Sequence, residues 1–143
     1  ASRYKRQHLP MFQSAGFGGI RSVEFCSLDD PRRRGGIVEM PTTLQAFEHS
    51  RKSYLKNIAK RLAAGTLLRF MALAGQGDWV KLVERFLNRC LSRGGVFHLW
   101  GHSWEIDRTG QWDQLDRALR LMGEAAKQAP CLTNGQVCQR VQG

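Results

Sequence analysis

The chain has 143 residues, of which 42% are hydrophobic and 24% charged. That balance reads as one ordinary globular domain and excludes a low-complexity or disordered chain. Charges interrupt every apolar stretch, so no membrane-spanning helix is expected. No apolar block follows the basic segment 1–10, so no signal peptide is expected and a cytoplasmic location is the reading.

The net charge is +10, with 22 Lys and Arg against 12 Asp and Glu. It is uneven: residues 1–71 hold 13 cations and 5 anions, residues 72–143 hold 9 and 7. A basic surplus of this size suits an anionic partner. Sixteen of the cations are Arg, which also fits solvated basic faces of an Arg-rich chain. Four cysteines, Cys26, Cys90, Cys131 and Cys138, lack the close spacing of a zinc or redox motif and read as free thiols. Cys131 and Cys138 are the pair that could join.

The elements follow in chain order. Residues 4–15 read as a short helix with Leu9, Phe12 and Met11 inward, although Pro10 lies within it. Gly16, Gly18 and Gly19 end it. Residues 20–25 alternate as a short strand. Residues 29–36, with Asp29, Asp30, Pro31 and Gly35-Gly36, read as a charged loop. Residues 37–40 form a second strand, stopped by Pro41. Residues 50–64 and 66–74 read as two helical pieces, and 75–77 as a linker. Asp78 caps the clearest helix, 79–92, with Trp79, Leu82, Val83, Phe86, Leu87 and Cys90 on one face. Residues 96–100 form an apolar run of the kind buried on both faces of a sheet. Residues 102–110 read as a polar loop. Residues 111–127 form an amphipathic helix with Trp112, Leu115, Leu119 and Met122 inward. A last strand is expected near 131–133, then a helical turn from Asn134. This order points to an α/β fold with largely parallel strands.

The sharpest chemical feature is Phe97-His98-Leu99-Trp100-Gly101-His102-Ser103-Trp104-Glu105. In parallel α/β folds, sites form where strands end. Histidine exchanges protons near neutrality, so His102 is the candidate acid or base. Trp100 and Trp104 offer flat apolar surfaces for sugar rings. Glu105 could orient His102 or hold a hydroxyl. His98 lies inside the strand and reads as a packing residue. Pro41 and Thr42, with Thr43, also follow a strand and are expected on the same rim as His102. No phosphate loop, zinc-protease motif or nucleophile elbow occurs.

These segments resemble the last third of the polysaccharide deacetylases, the NodB-homology family (carbohydrate esterase family four). The resemblance rests on Gly94 through Ile106, Trp112-Asp113 and Leu115. Gly16-Phe17, Ile20-Arg21-Ser22, Met40 through Ala46 and Leu132-Thr133-Asn134-Gly135 follow in matching order, and Ser2-Arg3-Tyr4 looks like the residues after that family's Arg-Pro-Pro-Tyr-Gly segment. The resemblance implies a distorted (β/α) barrel that removes N-acetyl groups from amino-sugar polymers. It implies a divalent metal, usually zinc, held by an Asp and two His, with a second Asp as base. His102 matches the late His that protonates the leaving amine, and Leu99 would line the acetyl pocket. An amide needs both a strong nucleophile and protonation of nitrogen, which fits such a pair of roles.

The family's Asp-Asp and His-x-x-x-His metal motifs lie upstream of the segments matched here; in this sequence Asp-Asp occurs only as Asp29-Asp30, which reads as a loop-capping pair, and the His-x-x-x-His spacing only as His98 and His102, inside the segment matched to the family's late part. The expectation is therefore that residues 1–143 are the C-terminal portion of one deacetylase-like domain. In that reading the chain holds no metal ligands, the substrate is an acetylated amino sugar, and nucleic acid is not the partner. The rival reading is a basic, non-catalytic module that binds nucleic acid or anionic polysaccharide through Arg32, Arg33, Arg34, Arg51 and Lys52. A third is a non-catalytic carbohydrate-binding remnant that uses Trp100 and Trp104.

Overall fold

The computed structural model describes residues 4–22, 26–47 and 78–142. The expected helical pieces at 50–64 and 66–74, the linker at 75–77 and the end of the expected first strand, Val23 to Phe25, lie outside the described residues.

A short 3-10 turn, Arg6–His8, leads into α1 (Leu9–Ser14). β1 (Gly19–Arg21), β2 (Arg32–Arg34), β3 (Ile37–Met40) and β4 (Leu44–Gln45) follow. Then come α2 (Trp79–Arg93), β5 (Leu99–Trp100), α3 (Ser103–Thr109), α4 (Trp112–Ala125) and α5 (Asn134–Gln142). The fold is mixed α/β, as the alternation of apolar patterns predicts. β3 is the centre of a three-stranded sheet, with β1 parallel on one side and β2 antiparallel on the other. β4 and β5 form a second, parallel pair, with Leu44 beside Leu99 and Gln45 beside Trp100. Among the described residues these strands do not close into a barrel.

Pro10 is tolerated because it sits in the first turn of α1, where its missing N–H has no helical partner. Leu9 is buried and Phe12 half-buried, but Met11, expected inward, is 68% exposed. The segment expected as a charged loop at 29–36 contains a strand instead. Gly35 and Gly36 both take positive φ, 54° and 82°, which is the two-residue turn that suits a hairpin. That turn folds Arg32–Arg34 back on β3, where Arg34 Nε meets Glu39 Oε2 at 2.7 Å.

α2 begins where Asp78 predicts. The Asp78 carboxylate accepts the Val80 N–H at 2.9 Å, and Gly94 at φ 79° ends the helix. Its apolar stripe packs with Cys26, Leu28, Leu44, Ala46, Ile106 and Ala118 to make the main core, and Val83 and Phe86 have no exposed surface. A smaller cluster joins Val38 and Met40 to Val137 and Cys138.

Four further expectations need correction. The run 96–100 is half-buried, and ladder pairing is confined to Leu99–Trp100. Before it, Val96 N–H donates to Leu28 O at 3.1 Å, so loop contacts replace the ladder there. The loop expected at 102–110 holds α3, ended by Gly110 in the left-handed region at φ 63°. α4 is rotated from the expected face: Trp112 and Leu119 are 50% and 52% exposed, while Ala118 is fully buried. Gln111 sets that rotation, because its buried side chain accepts the Trp79 Nε1–H at 2.7 Å. The expected strand at 131–133 has no ladder partner. Thr133 and Gln136 instead form a reciprocal cap, Thr133 N–H to Gln136 Oε1 at 2.8 Å and Gln136 N–H to Thr133 Oγ1 at 3.2 Å. The cap starts a nine-residue helix where a single turn is expected.

All four cysteines carry free thiols; Cys26 is buried, and desolvation pushes its thiol up to about 12. No helix among the described residues is long and apolar enough to cross a membrane.

Candidate functional site

β5 delivers Trp100 and then Gly101 to the end of the parallel β4–β5 pair. A Cβ on Gly101 would lie 3.0 Å from the Ala46 Cβ, so a small residue lets the chain pass close beside β4. His102 follows in extended conformation and caps α3 with its backbone: its carbonyl accepts the N–H groups of Glu105 at 3.0 Å and Ile106 at 3.2 Å. Its side chain takes no part in that cap.

The His102 ring is held by aromatic contacts. Trp100 meets it edge-to-face at 5.1 Å between centroids, and Trp104 stacks on it at 5.3 Å with 22° between planes. Arg108, one turn after Trp104, places its guanidinium carbon 5.4 Å from the centre of that ring. His102 is half-buried and Trp104 is 56% exposed. Among the described residues no hydrogen bond engages the His102 ring nitrogens. The two tryptophans therefore orient the imidazole.

The other expected site residues divide. Glu105 does not orient His102; its Oε2 accepts the Gln45 amide at 2.8 Å and ties α3 to β4. Pro41 and Thr42 are buried and stand apart from His102. The β4–β5 register sets residue 44 beside residue 99, so 41 and 42 fall well before the end of β5. The Pro41 carbonyl and the Thr42 hydroxyl are also engaged: Pro41 O accepts Arg21 Nη1 at 2.7 Å, and the Thr42 hydroxyl donates to Ser22 O at 2.9 Å. The chain runs on from β3 into β4, which is why the Pro-Thr-Thr segment is a bridge between sheets and not an open rim. Leu99 is half-buried against the main core and also lines a cavity on the His98 side.

No family model, curated protein or solved structure matches this chain.

Among the described residues no three His, Cys, Asp or Glu side chains stand together as a metal site. The basic hairpin is partly neutralised. Arg34 pairs with Glu39, and Arg32 lies 4.0 Å from Asp29. Arg51 and Lys52 lie outside the described residues.

Arg108 and Gln45 escaped the sequence reading. Arg108 was legible in principle, since it lies four residues after Trp104 on one helix face. Gln45 was not, because its partner Glu105 is sixty residues away.

Proposed function

We propose that this chain is the late part of a polysaccharide-deacetylase-like domain, a distorted (β/α) barrel in its complete form, and that His102 is its proton donor. One observation carries the reading: an imidazole directly after a parallel strand, oriented by Trp100 and Trp104, with no hydrogen bond to its ring nitrogens among the described residues. Hydrolysis of an N-acetyl group needs a proton on the departing amine nitrogen, and an oriented imidazolium supplies it. The exposed Trp104 and the nearby Arg108 offer an apolar face and a cation beside that proton. In this reading the tryptophans are positioning residues for His102 as much as a sugar platform.

The test is acetate release from chitin oligosaccharides by the product of the complete reading frame. His102→Gln is expected to lower the rate by about 10²-fold or more, the usual contribution of a general acid. An unchanged rate in the variant, or no acetate release by the parent protein, overturns the reading.

A further inference from the structure

A cavity of about 380 Å³ lies away from His102, at the other end of β5. Its walls come from the last turns of α2, the segment leading into β5, the end of α4 with the residues after it, and α5. Leu87, Leu91, Phe97, Met122 and Leu132 make most of the lining apolar. The volume lies within the roughly 300–1,000 Å³ of pockets that hold small molecules.

The charge in this cavity is one-sided. Arg21, His98 and Arg140 line it, and among the described residues no Asp or Glu does. Arg21 is fixed by two bonds, Nη1 to Pro41 O at 2.7 Å and Nη2 to Asn134 Oδ1 at 2.6 Å. Both acceptors are neutral. Its Nε is buried with no hydrogen-bond partner. His98 is held through its backbone: its N–H donates to Thr43 Oγ1 at 3.0 Å, and its carbonyl accepts the N–H groups of Thr43 and Leu44. Its Nδ1 is also buried with no partner.

Two buried, unpartnered nitrogens on residues lining one cavity are unusual, because native proteins satisfy nearly all such groups. A desolvated guanidinium without a carboxylate partner is costlier still. Burial pushes the Arg21 guanidinium below its ordinary range and, with the Arg21 charge, lowers the His98 imidazole to about 4. An anion bound in the cavity would offset the Arg21 charge, which has only neutral partners.

The geometry points to a ligand site for a small organic carboxylate, its anionic head at Arg21 and His98 and its apolar body among Leu87, Phe97 and Met122. The inference is independent of the role of His102. Of the two guanidiniums on the walls Arg140 is exposed to solvent, so the one withdrawn from it, Arg21, beside a neutral imidazole, suits a monoanion better than a dianionic phosphate. The apolar walls require a hydrocarbon or aromatic body, which excludes a free inorganic anion.

The probe is octanoate, with octanol as its neutral counterpart and inorganic phosphate as a bodiless anion. Calorimetric titration of the full chain is expected to give octanoate a Kd of about 1 mM or tighter. Octanol and phosphate are expected to bind at least about ten-fold more weakly, a difference of roughly 1.4 kcal/mol. Arg21→Gln is expected to weaken octanoate at least about ten-fold while leaving octanol unchanged. Arg21 also holds Pro41 and Asn134, so a second variant guards against misfolding. Ala129→Phe fills the cavity without touching the charged groups and is expected to abolish octanoate binding, with the circular dichroism spectrum retained. No octanoate binding, equal binding of octanoate and octanol, or octanoate binding unchanged in Ala129→Phe would each overturn the assignment.

Discussion

The Trp104 ring stacks on His102 at 5.3 Å, and Trp100 meets the same imidazole edge-to-face at 5.1 Å. Both tryptophans sit within two residues of His102, so strand end and helix start together build the clamp. Loss of Trp104 should therefore free the imidazole. Trp104→Ala is expected to move the His102 ring proton resonances downfield as the ring-current shielding of the stack disappears, and Trp104→Phe should keep most of it. Proton spectra of the chain check this, and unshifted resonances in Trp104→Ala would show that the stack does not form in solution.

The α2 cap gives a stability prediction. Asp78→Ala removes the acceptor of the Val80 N–H and a half-exposed partner of Arg117 at 3.8 Å. The cap accounts for most of the expected loss, about 1 kcal/mol, because an ion pair so open to water adds little. Asp78→Asn should recover most of it, since Asn caps nearly as well. Urea unfolding of the three proteins is the measurement.

Core packing sets a larger scale. Phe86 is fully buried in the main cluster, so Phe86→Ala should cost roughly 3–5 kcal/mol. Met11→Ala, at a position 68% exposed, should change stability by less than about 0.5 kcal/mol. Equal losses at the two positions would contradict the burial described for α1 and α2.

The depressed His98 titration makes stability depend on pH. Burial first, then the Arg21 charge, lowers His98 from 6.5 to about 4. Between those values the unfolded chain binds a proton that the folded chain refuses. Stability should therefore fall as pH drops from about 6.5 to about 4, and this contribution should fall no further below that. The half-exposed ring reduces the effect to about 2 kcal/mol. His98→Gln should flatten that part of the curve in urea unfolding, and parallel curves for the two proteins would refute the assignment.

The parts of this fold that were legible in the sequence are those where local chemistry and burial agree. α2 is the clearest: Asp78, the apolar stripe and Gly94 all mark the same helix, and it ends within one residue of expectation. Elsewhere long-range pairing decides. Three consecutive arginines carry no strand pattern, yet the Gly35-Gly36 turn pairs them with β3. α3 buries only Ile106, so no periodicity announces it. The face of α4 is set by the bond between Trp79 and Gln111, thirty-two residues apart.

The candidate site was legible in the same partial way. The cluster around His102 is local in sequence, and its aromatic contacts follow from that closeness. Pro41 and Thr42 looked equivalent because each follows a strand, but β3 continues into β4 and carries them inside. His98 read as a packing residue because of its place in an apolar run. Only the cavity beside it and its unpartnered Nδ1 set it apart.

The central claim is that His102 donates the proton that releases an amine from an acetylated amino sugar. The most direct test is acetate release by the product of the complete reading frame, comparing His102 with His102→Gln across pH. A loss of about 10²-fold together with loss of the limb of the pH profile that reports the acid is the predicted result. Acetate release that keeps both its rate and its pH profile in His102→Gln would contradict it.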